Sequence, residues 1–270
     1  MPLFKLTRLF QRDKRDKRLG IALGGGAARG LAHLGVIKAL EDHKIPIKAI
    51  TGSSSGCFIG AVYAAGVPID EMILRAKKLR WLDFVKFSLS KQSLMSSQKI
   101  VAFLDEYIGS MKMSQLKIPF TGVATDLLTG EVVTFSDSDD LVTDVIRASI
   151  SFPGVFKPFQ YGNKFLVDAG VGANIPVREL YDIGATVSLA VNVIPQVQLT
   201  ELPKDIKAVM DRSLDLLVSR VSLHSAEDAD LILNPITKDI SSFDIKRAEE
   251  MIDLGYECVD SQIHEIQALL

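Results

Sequence analysis

Cysteine is scarce in this chain. Two cysteines in 270 residues, Cys57 and Cys258, have neither the number nor the spacing of a disulfide framework or a zinc site, and their scarcity points to the cytosol. Long apolar runs are missing too. None reaches the ~18 residues that a membrane-spanning helix needs. The apolar positions near the N-terminus are interrupted by Lys5, Arg8 and Arg12, so no signal-peptide pattern is expected there. An excess of charge of one sign is also lacking: the net charge is -2, which gives no support to nucleic-acid binding, because that calls for a clustered basic surface. No internal repeat and no low-complexity linker interrupts the chain. What remains, 47% hydrophobic and 24% charged residues, excludes a disordered or coiled-coil protein. The length suits one large domain with a sizeable core.

The chain is organised around Gly52-Ser53-Ser54-Ser55-Gly56. It follows a short apolar run, Ile47 to Thr51, and opens an apolar segment, Cys57 to Ala65, which reads as strand, tight turn and helix. A serine at the apex of such a turn has its hydroxyl pushed out at the end of a sheet strand, and the flanking glycines have no Cβ to clash with neighbouring backbone. Ser54 is therefore the candidate nucleophile, with Gly52 and Gly56 supporting it. Cys57, next to the turn, reads as a small buried packing residue at the start of the helix.

A second strand, glycine loop and helix lies upstream. Leu19 to Leu23 is a β-like run, Gly24-Gly25-Gly26-Ala27-Ala28-Arg29-Gly30 follows, and Leu31 to Leu40 is apolar on several faces, as a buried helix should be. Such a loop leaves backbone N–H groups unpaired at the positive end of a helix dipole, which makes it an anion site. The P-loop pattern fails because Leu31 and Ala32 follow the closing Gly30. The dinucleotide fingerprint fails at Arg29 or Ala27, depending on where it is started. The oxyanion that forms on a carbonyl oxygen under attack by serine is the better candidate anion.

The rest of the chain alternates strands with helices. Ile69 to Leu79 and Ile100 to Ile108 read as helices, and residues 80 to 97, with Trp81, Phe84 and Phe87, as a lid, an acyl-chain contact or a packed connector. Ile118 to Asp126 and Glu131 to Phe135 read as a hairpin. Leu141 to Ser149 is a short helix, and Phe165 to Val167 a strand that delivers Asp168-Ala169-Gly170. A carboxylate at a strand end beside small residues is placed to orient or deprotonate a serine, or else to serve as a turn Asp. Ile175 to Tyr181 reads as a helix with Pro176 in its first turn. Thr186 to Val193 and Ala229 to Leu233 are buried strands, and Lys204 to Leu223 and Asp244 to Ile266 closing helices. The alternation predicts a single α/β domain with a largely parallel sheet covered on both faces. Residues 1–18 carry seven basic and two acidic residues around Leu3, Leu6 and Phe10, the pattern of a helix lying on an anionic membrane surface or of a solvated terminus.

With these stretches in hand, the sequence resembles the patatin-like phospholipase family, specifically bacterial members akin to the catalytic domain of neuropathy target esterase. The resemblance covers roughly Leu19 to Pro235 and rests on four ordered blocks: Gly24 to Gly30 with Leu31-Ala32-His33-Leu34-Gly35-Val36, Gly52 to Gly56, Arg147-Ala148-Ser149 leading to Pro153-Gly154, and Asp168-Ala169-Gly170. It implies a three-layer α/β/α fold over 19–235, with 236–270 packed on the same domain. It also implies a Ser-Asp dyad with no catalytic histidine. Ser54 would attack an acyl carbonyl, Asp168 would act as base, and the amides of Gly25, Gly26 and Ala27 would hold the oxyanion. Gly24, Arg29, Gly30 and Gly170 would support the site, and neither metal nor cofactor would be required. The implied substrates are phospholipids, lysophospholipids or simpler esters. The implied setting is the cytoplasm, with residues 1–18 touching the inner face of the membrane. An acyltransferase and a catalytically weak lipid-binding module are the alternatives.

The sequence departs from the family pattern at Ala27 and Ala169, where glycine is usual. An ordinary Asp, with pKa near 3.9, is also a weak base at neutral pH. None of the four histidines suits a Ser-His-Asp triad. His33 and His43 precede the acid, and His224 and His264 fall within helical patterns. His33 is expected to pack under the glycine loop, and Arg29 to brace it or attract an anionic head group.

Overall fold

The computed structural model of the chain describes residues 17–80, 86–87, 95–96, 98–195 and 201–270. Except for Lys17 and Arg18, the basic arm lies outside the described residues, as does most of the 80–97 stretch. Within that stretch β3 (Lys86–Phe87) pairs with β4 (Met95–Ser96) in a two-residue antiparallel ladder.

Five apolar runs build the parallel part of the main sheet. At its centre β1 (Leu19–Leu23) is buried along its whole length between β2 (Ile47–Gly52) and β9 (Val187–Val191), with β10 (Leu231–Leu233) beyond β9 and β5 (Phe120–Asp126) beyond β2. Strands buried on both faces read as continuous apolar runs, which is why Leu19 to Leu23 and Val187 to Val191 show no polar alternation. The two faces differ in side-chain size. Leu19, Ile21, Leu23, Ile50, Leu189 and Val191 join the larger core, with α1 (Ala32–Asp42), α2 (Ser54–Ala64) and α8 (Ala248–Ser261). Ala22, Ala49 and Ala190 face the other way, toward Leu180 of α6 (Arg178–Asp182) and Ala226 at the end of α7 (Ile206–Ser225). The result is an α/β/α sandwich with a mainly parallel central sheet, as expected from the sequence.

The remaining strands join the sheet by antiparallel pairing, one of them in the hairpin read from Ile118 to Phe135. Beside β5 stand β6 (Val132–Phe135), its hairpin partner, and β8 (Lys164–Asp168), itself paired with β7 (Phe159–Tyr161); all three pairings are antiparallel. Helices α3 (Ile69–Ala76), α4 (Gln98–Tyr107) and α5 (Val142–Ser149) fall near the expected places.

Three expectations are corrected. The helix read over Ile175 to Tyr181 begins only at Arg178, because the Pro176 carbonyl is held by the Thr51 hydroxyl at 2.6 Å and the Ile175 N–H by the Ser225 hydroxyl at 3.0 Å. The Asp244 to Ile266 helix is three pieces, a 3₁₀ turn (Ile245–Arg247), α8, and α9 (Ile263–Leu269), broken at Gln262. The supposed loop after Gly26 is a 3₁₀ turn, Ala27–Leu31, leading directly into α1. α8 lies backbone to backbone on α1. A Cβ at Gly255 would run into the Ala32 carbonyl, and one at Gly35 into the Ile252 carbonyl.

Candidate active site

The register of β5 explains how residues far apart in sequence meet. Gly122 pairs with Gly52 on one side and Phe135 on the other, while Ala124 pairs with Val133 and Asp168. Since β6 occupies one edge of β5 throughout, β2 and β8 must share the other edge, running toward each other from opposite directions. Their C-terminal ends, Gly52 and Asp168, stop two β5 residues apart, about 7 Å. The nucleophile candidate leaves one strand end and the carboxylate leaves the other.

Ser54 sits at the turn from β2 to α2 with φ +50°, in the left-handed region that side chains other than glycine avoid. Ser53, before it, is buried and ties its hydroxyl to the Asn174 carbonyl at 2.7 Å, while the Ser54 N–H donates to the Ser149 hydroxyl at 2.9 Å. These bonds hold the strained residue from both sides. The glycines permit the close fit: a Cβ on Gly52 would lie 2.6 Å from the Cys57 backbone, and one on Gly56 would meet the Leu23 carbonyl. Cys57 is fully buried, and burial pushes its thiol up to about 12, as suits a packing residue.

The glycine loop lies across from the elbow. Gly25 is clamped by Asn174, whose side chain accepts from the Gly25 N–H at 3.1 Å and donates to its carbonyl at 3.2 Å. The Gly26 N–H donates to the Ser55 hydroxyl at 3.1 Å. Ala27 adopts φ +51°, the conformation that glycine takes most easily, and begins the 3₁₀ turn, so its N–H has no carbonyl within that turn to bond. Arg29 is a brace. It is buried, forms a two-pronged ion pair with Asp215 of α7 at 2.6 and 2.7 Å, and donates to the Ile240 carbonyl. His33 packs under the loop, its Nε2 at 2.7 Å from the Gly24 carbonyl; burial lowers its pKa to about 4 and keeps it neutral.

Asp168 is 3% exposed, and burial raises its pKa to about 6. Oδ1 accepts from the Gly170 N–H at 2.8 Å, and the Asp168 N–H donates to the Ser151 carbonyl at 3.0 Å. The Ser54 hydroxyl is near enough to favour the charged form, although Oδ2 meets no donor with full hydrogen-bond geometry. His43 bonds Asp260 at the surface, and His224 is exposed.

Ser54 and Asp168 open onto one cavity of about 550 Å³, together with Gly25, Gly26 and Ala27. Its far walls are almost wholly apolar, with Phe58, Val62, Met72, Phe103, Phe152 and Phe156 among them. Such a volume and lining fit an elongated apolar ligand. Among the described residues no group of three or more His, Cys, Asp or Glu is arranged to hold a metal ion, and no helix is long and apolar enough to cross a membrane. Sequence reasoning missed Asp215, Asn174 and Ser222, whose hydroxyl accepts from the Asn174 side chain at 2.8 Å. Ser55 and Ser149 belonged to quoted blocks, but their bonds to the glycine loop and the elbow were not foreseen.

Comparison with known proteins points to one family. Residues 21–181, more than half of the chain, match the family model described as patatin-like phospholipase. An uncharacterized NTE family protein of Mycobacterium tuberculosis is 36% identical over 184 residues, covering 67% of this chain and 50% of the relative. A lysophospholipase NTE1 of Debaryomyces hansenii is 32% identical over 184 residues, 66% of this chain but 12% of the yeast protein. The chain therefore spans half the length, or much less, of these relatives. The crystal structure of VipD from Legionella pneumophila superposes with a TM-score of 0.53 at 14% identity, covering 91% of this chain and 67% of that one, a likeness of fold. A glycine loop and a serine elbow facing a buried aspartate, inside a family match of this extent, mean that the chain belongs to the patatin-like phospholipase family.

Proposed function

We propose that the protein is a serine hydrolase that cleaves acyl esters of phospholipids or lysophospholipids with a Ser54–Asp168 dyad. The observation that carries this reading is the meeting of a left-handed serine and a buried aspartate at one end of a largely apolar cavity. Ser54 Oγ attacks the acyl carbonyl carbon while its proton passes to Asp168. The tetrahedral oxyanion forms against backbone N–H groups, and its collapse breaks the ester C–O bond as Asp168 returns the proton to the leaving alcohol. Water then attacks the acyl-serine, giving its proton to Asp168; as the bond from the acyl carbon to Ser54 Oγ breaks, Asp168 passes that proton to Oγ and the fatty acid leaves. A carboxylate with pKa about 6 is a far better base near neutrality than an exposed one.

For the oxyanion hole we assign the N–H groups of Gly26 and Ala27. Gly25 keeps its N–H on Asn174 and shapes the loop. The Gly26 N–H must exchange the Ser55 hydroxyl for the oxyanion, a short rotation of one side chain. The test is labelling by a fluorophosphonate, whose adduct mimics the tetrahedral intermediate. Wild type should label, with Ser54→Ala and Asp168→Asn losing both labelling and short-chain ester turnover. A folded wild type that never labels would refute the hydrolase reading, and product analysis with an added alcohol separates hydrolysis from acyl transfer.

A further inference from the structure

The first turns of α7 turn apolar side chains outward. Ile206, Met210 and Leu217 are 82%, 60% and 65% exposed, and Leu202, just ahead of the helix, is 87% exposed. At 3.6 residues per turn the three helical positions fall within an arc of roughly 40°. Asp215 and Ser222, which tie α7 to the active-site loops through Arg29 and Asn174, lie roughly 160° and 140° from the middle of that arc. The stripe is therefore a second face on a helix whose inward face is already engaged. Leu214 and Phe243 line the cavity and are themselves exposed, so the outer patch runs into the cavity mouth without a break.

We propose that this patch, Leu202, Ile206, Met210 and Leu217 with Phe243, seats the protein on the surface of a lipid bilayer, with the cavity mouth held against it. The choice of a bilayer rests on the lipid-hydrolase reading above. Whatever covers the stripe also covers Leu214 and Phe243 at the mouth. A second copy of the chain docked there would close both cavities, whereas a bilayer delivers acyl chains into them. Charge placement agrees. Lys204, between Leu202 and Ile206, and Arg220, beyond Leu217, are exposed beside the stripe; of the acids near it, Asp205 is engaged as the α7 N-cap on the Ala208 N–H and Asp215 is paired with Arg29, while Glu201 is exposed next to Leu202.

The experiment measures co-sedimentation of full-length Ser54→Ala protein with phosphatidylcholine vesicles, with and without phosphatidylglycerol, at low salt and at about 0.5 M NaCl, where exposed charges are screened. Adding Ile206→Ser, Met210→Ser and Leu217→Ser together should lower the salt-resistant partition coefficient on the order of tenfold or more. In the active background the same triple variant should hydrolyse a soluble short-chain ester at the wild-type rate. Unchanged vesicle binding would overturn the proposal. So would a wild-type dimer that the triple variant converts to monomer. Should that variant fail to fold, an environment-sensitive dye on Met210→Cys must shift to the blue on adding vesicles, and a dye that stays in water refutes the docking face. Because binding is read on the Ser54→Ala protein, loss of the hydrolase reading through absent ester turnover leaves this result standing on its own.

Discussion

Replacing Ser54 by glycine should yield a more stable protein than replacing it by alanine. Both variants lack the hydroxyl, so its interaction with Asp168 cancels from the comparison and only backbone conformation differs. At an ordinary helical position glycine is worse than alanine by about 1 kcal/mol, because it surrenders more freedom on folding. Ser54 opens α2 at φ +50°, where a Cβ costs about 1–2 kcal/mol. Relief of that strain outweighs the entropy term. The glycine variant should therefore lead the alanine variant by about 0.5 kcal/mol, the middle of the difference between the two terms, or roughly 1–2 °C in Tm for a chain of this size. The assay is thermal and urea unfolding of Ser54→Ala and Ser54→Gly side by side at pH 7. A Ser54→Gly protein less stable than Ser54→Ala by about 1 kcal/mol would mean that the elbow is not left-handed, and the argument for strain held by the Ser53 and Ser149 bonds would fall with it.

Asp168 supplies a pH prediction. Its pKa is about 6 in the fold against 3.8 for the free group, so folding favours the protonated form. That contribution is complete below pH 4, is lost as pH rises through about 6, and is absent above. Asp168→Asn should therefore exceed wild type in stability above pH 6, by on the order of 2 kcal/mol, and match it near pH 4, as read from urea midpoints across pH. For activity the sign reverses: kcat/KM on a soluble ester should rise about tenfold per pH unit to an apparent pKa near 6 and then level, and a profile flat from pH 4 to 8 would exclude Asp168 as the base. Ala27→Gly should stabilise by about 1 kcal/mol in thermal unfolding, since Ala27 is exposed and held at φ +51°. Asn174→Ala should lower kcat on a soluble ester at least tenfold with the protein still folded, because Gly25 loses its clamp. Gly255→Ala should destabilise by about 2 kcal/mol or more in urea unfolding, because its Cβ meets the α1 backbone.

What could be read from the sequence follows from how local each feature is. The elbow and the glycine loop are contiguous, and their glycines answer to close approaches such as Gly56 against the Leu23 carbonyl, so composition alone exposes them. Asp168 was visible as a strand-end carboxylate, but residues around it also suit a turn Asp; only the family resemblance picked it out. Its raised pKa depends on burial by residues from elsewhere in the chain and has no local signature. Asn174 was invisible for a related reason, since its bond to Gly25 spans 149 residues. β6 was legible as the hairpin partner of β5, whereas the direction of β8 escaped because an apolar run reads the same in either sense. Pro176 misled because its preference for a first helical turn yielded to the Thr51 hydroxyl on its carbonyl.

The meeting of β2 and β8 along one edge of β5 makes that strand a ruler for the proposed reacting pair. Neither Ser54 nor Asp168 is positioned by the length of the chain between them; each is hung from a strand end whose place is counted off on β5, at Gly122 and Ala124. Segments inserted between β2 and β5, or between β6 and β7, can therefore lengthen, shorten or change composition while the spacing of Ser54 and Asp168 stays the same. The cavity walls drawn from those segments, residues between Phe58 and Leu79 and between Ile100 and Tyr107 on one side and between Ile150 and Phe156 on the other, are free to drift toward new substrates. A single residue inserted into β5 between Gly122 and Ala124, touching neither reacting group, would part them by one strand step of about 3.4 Å and silence the site.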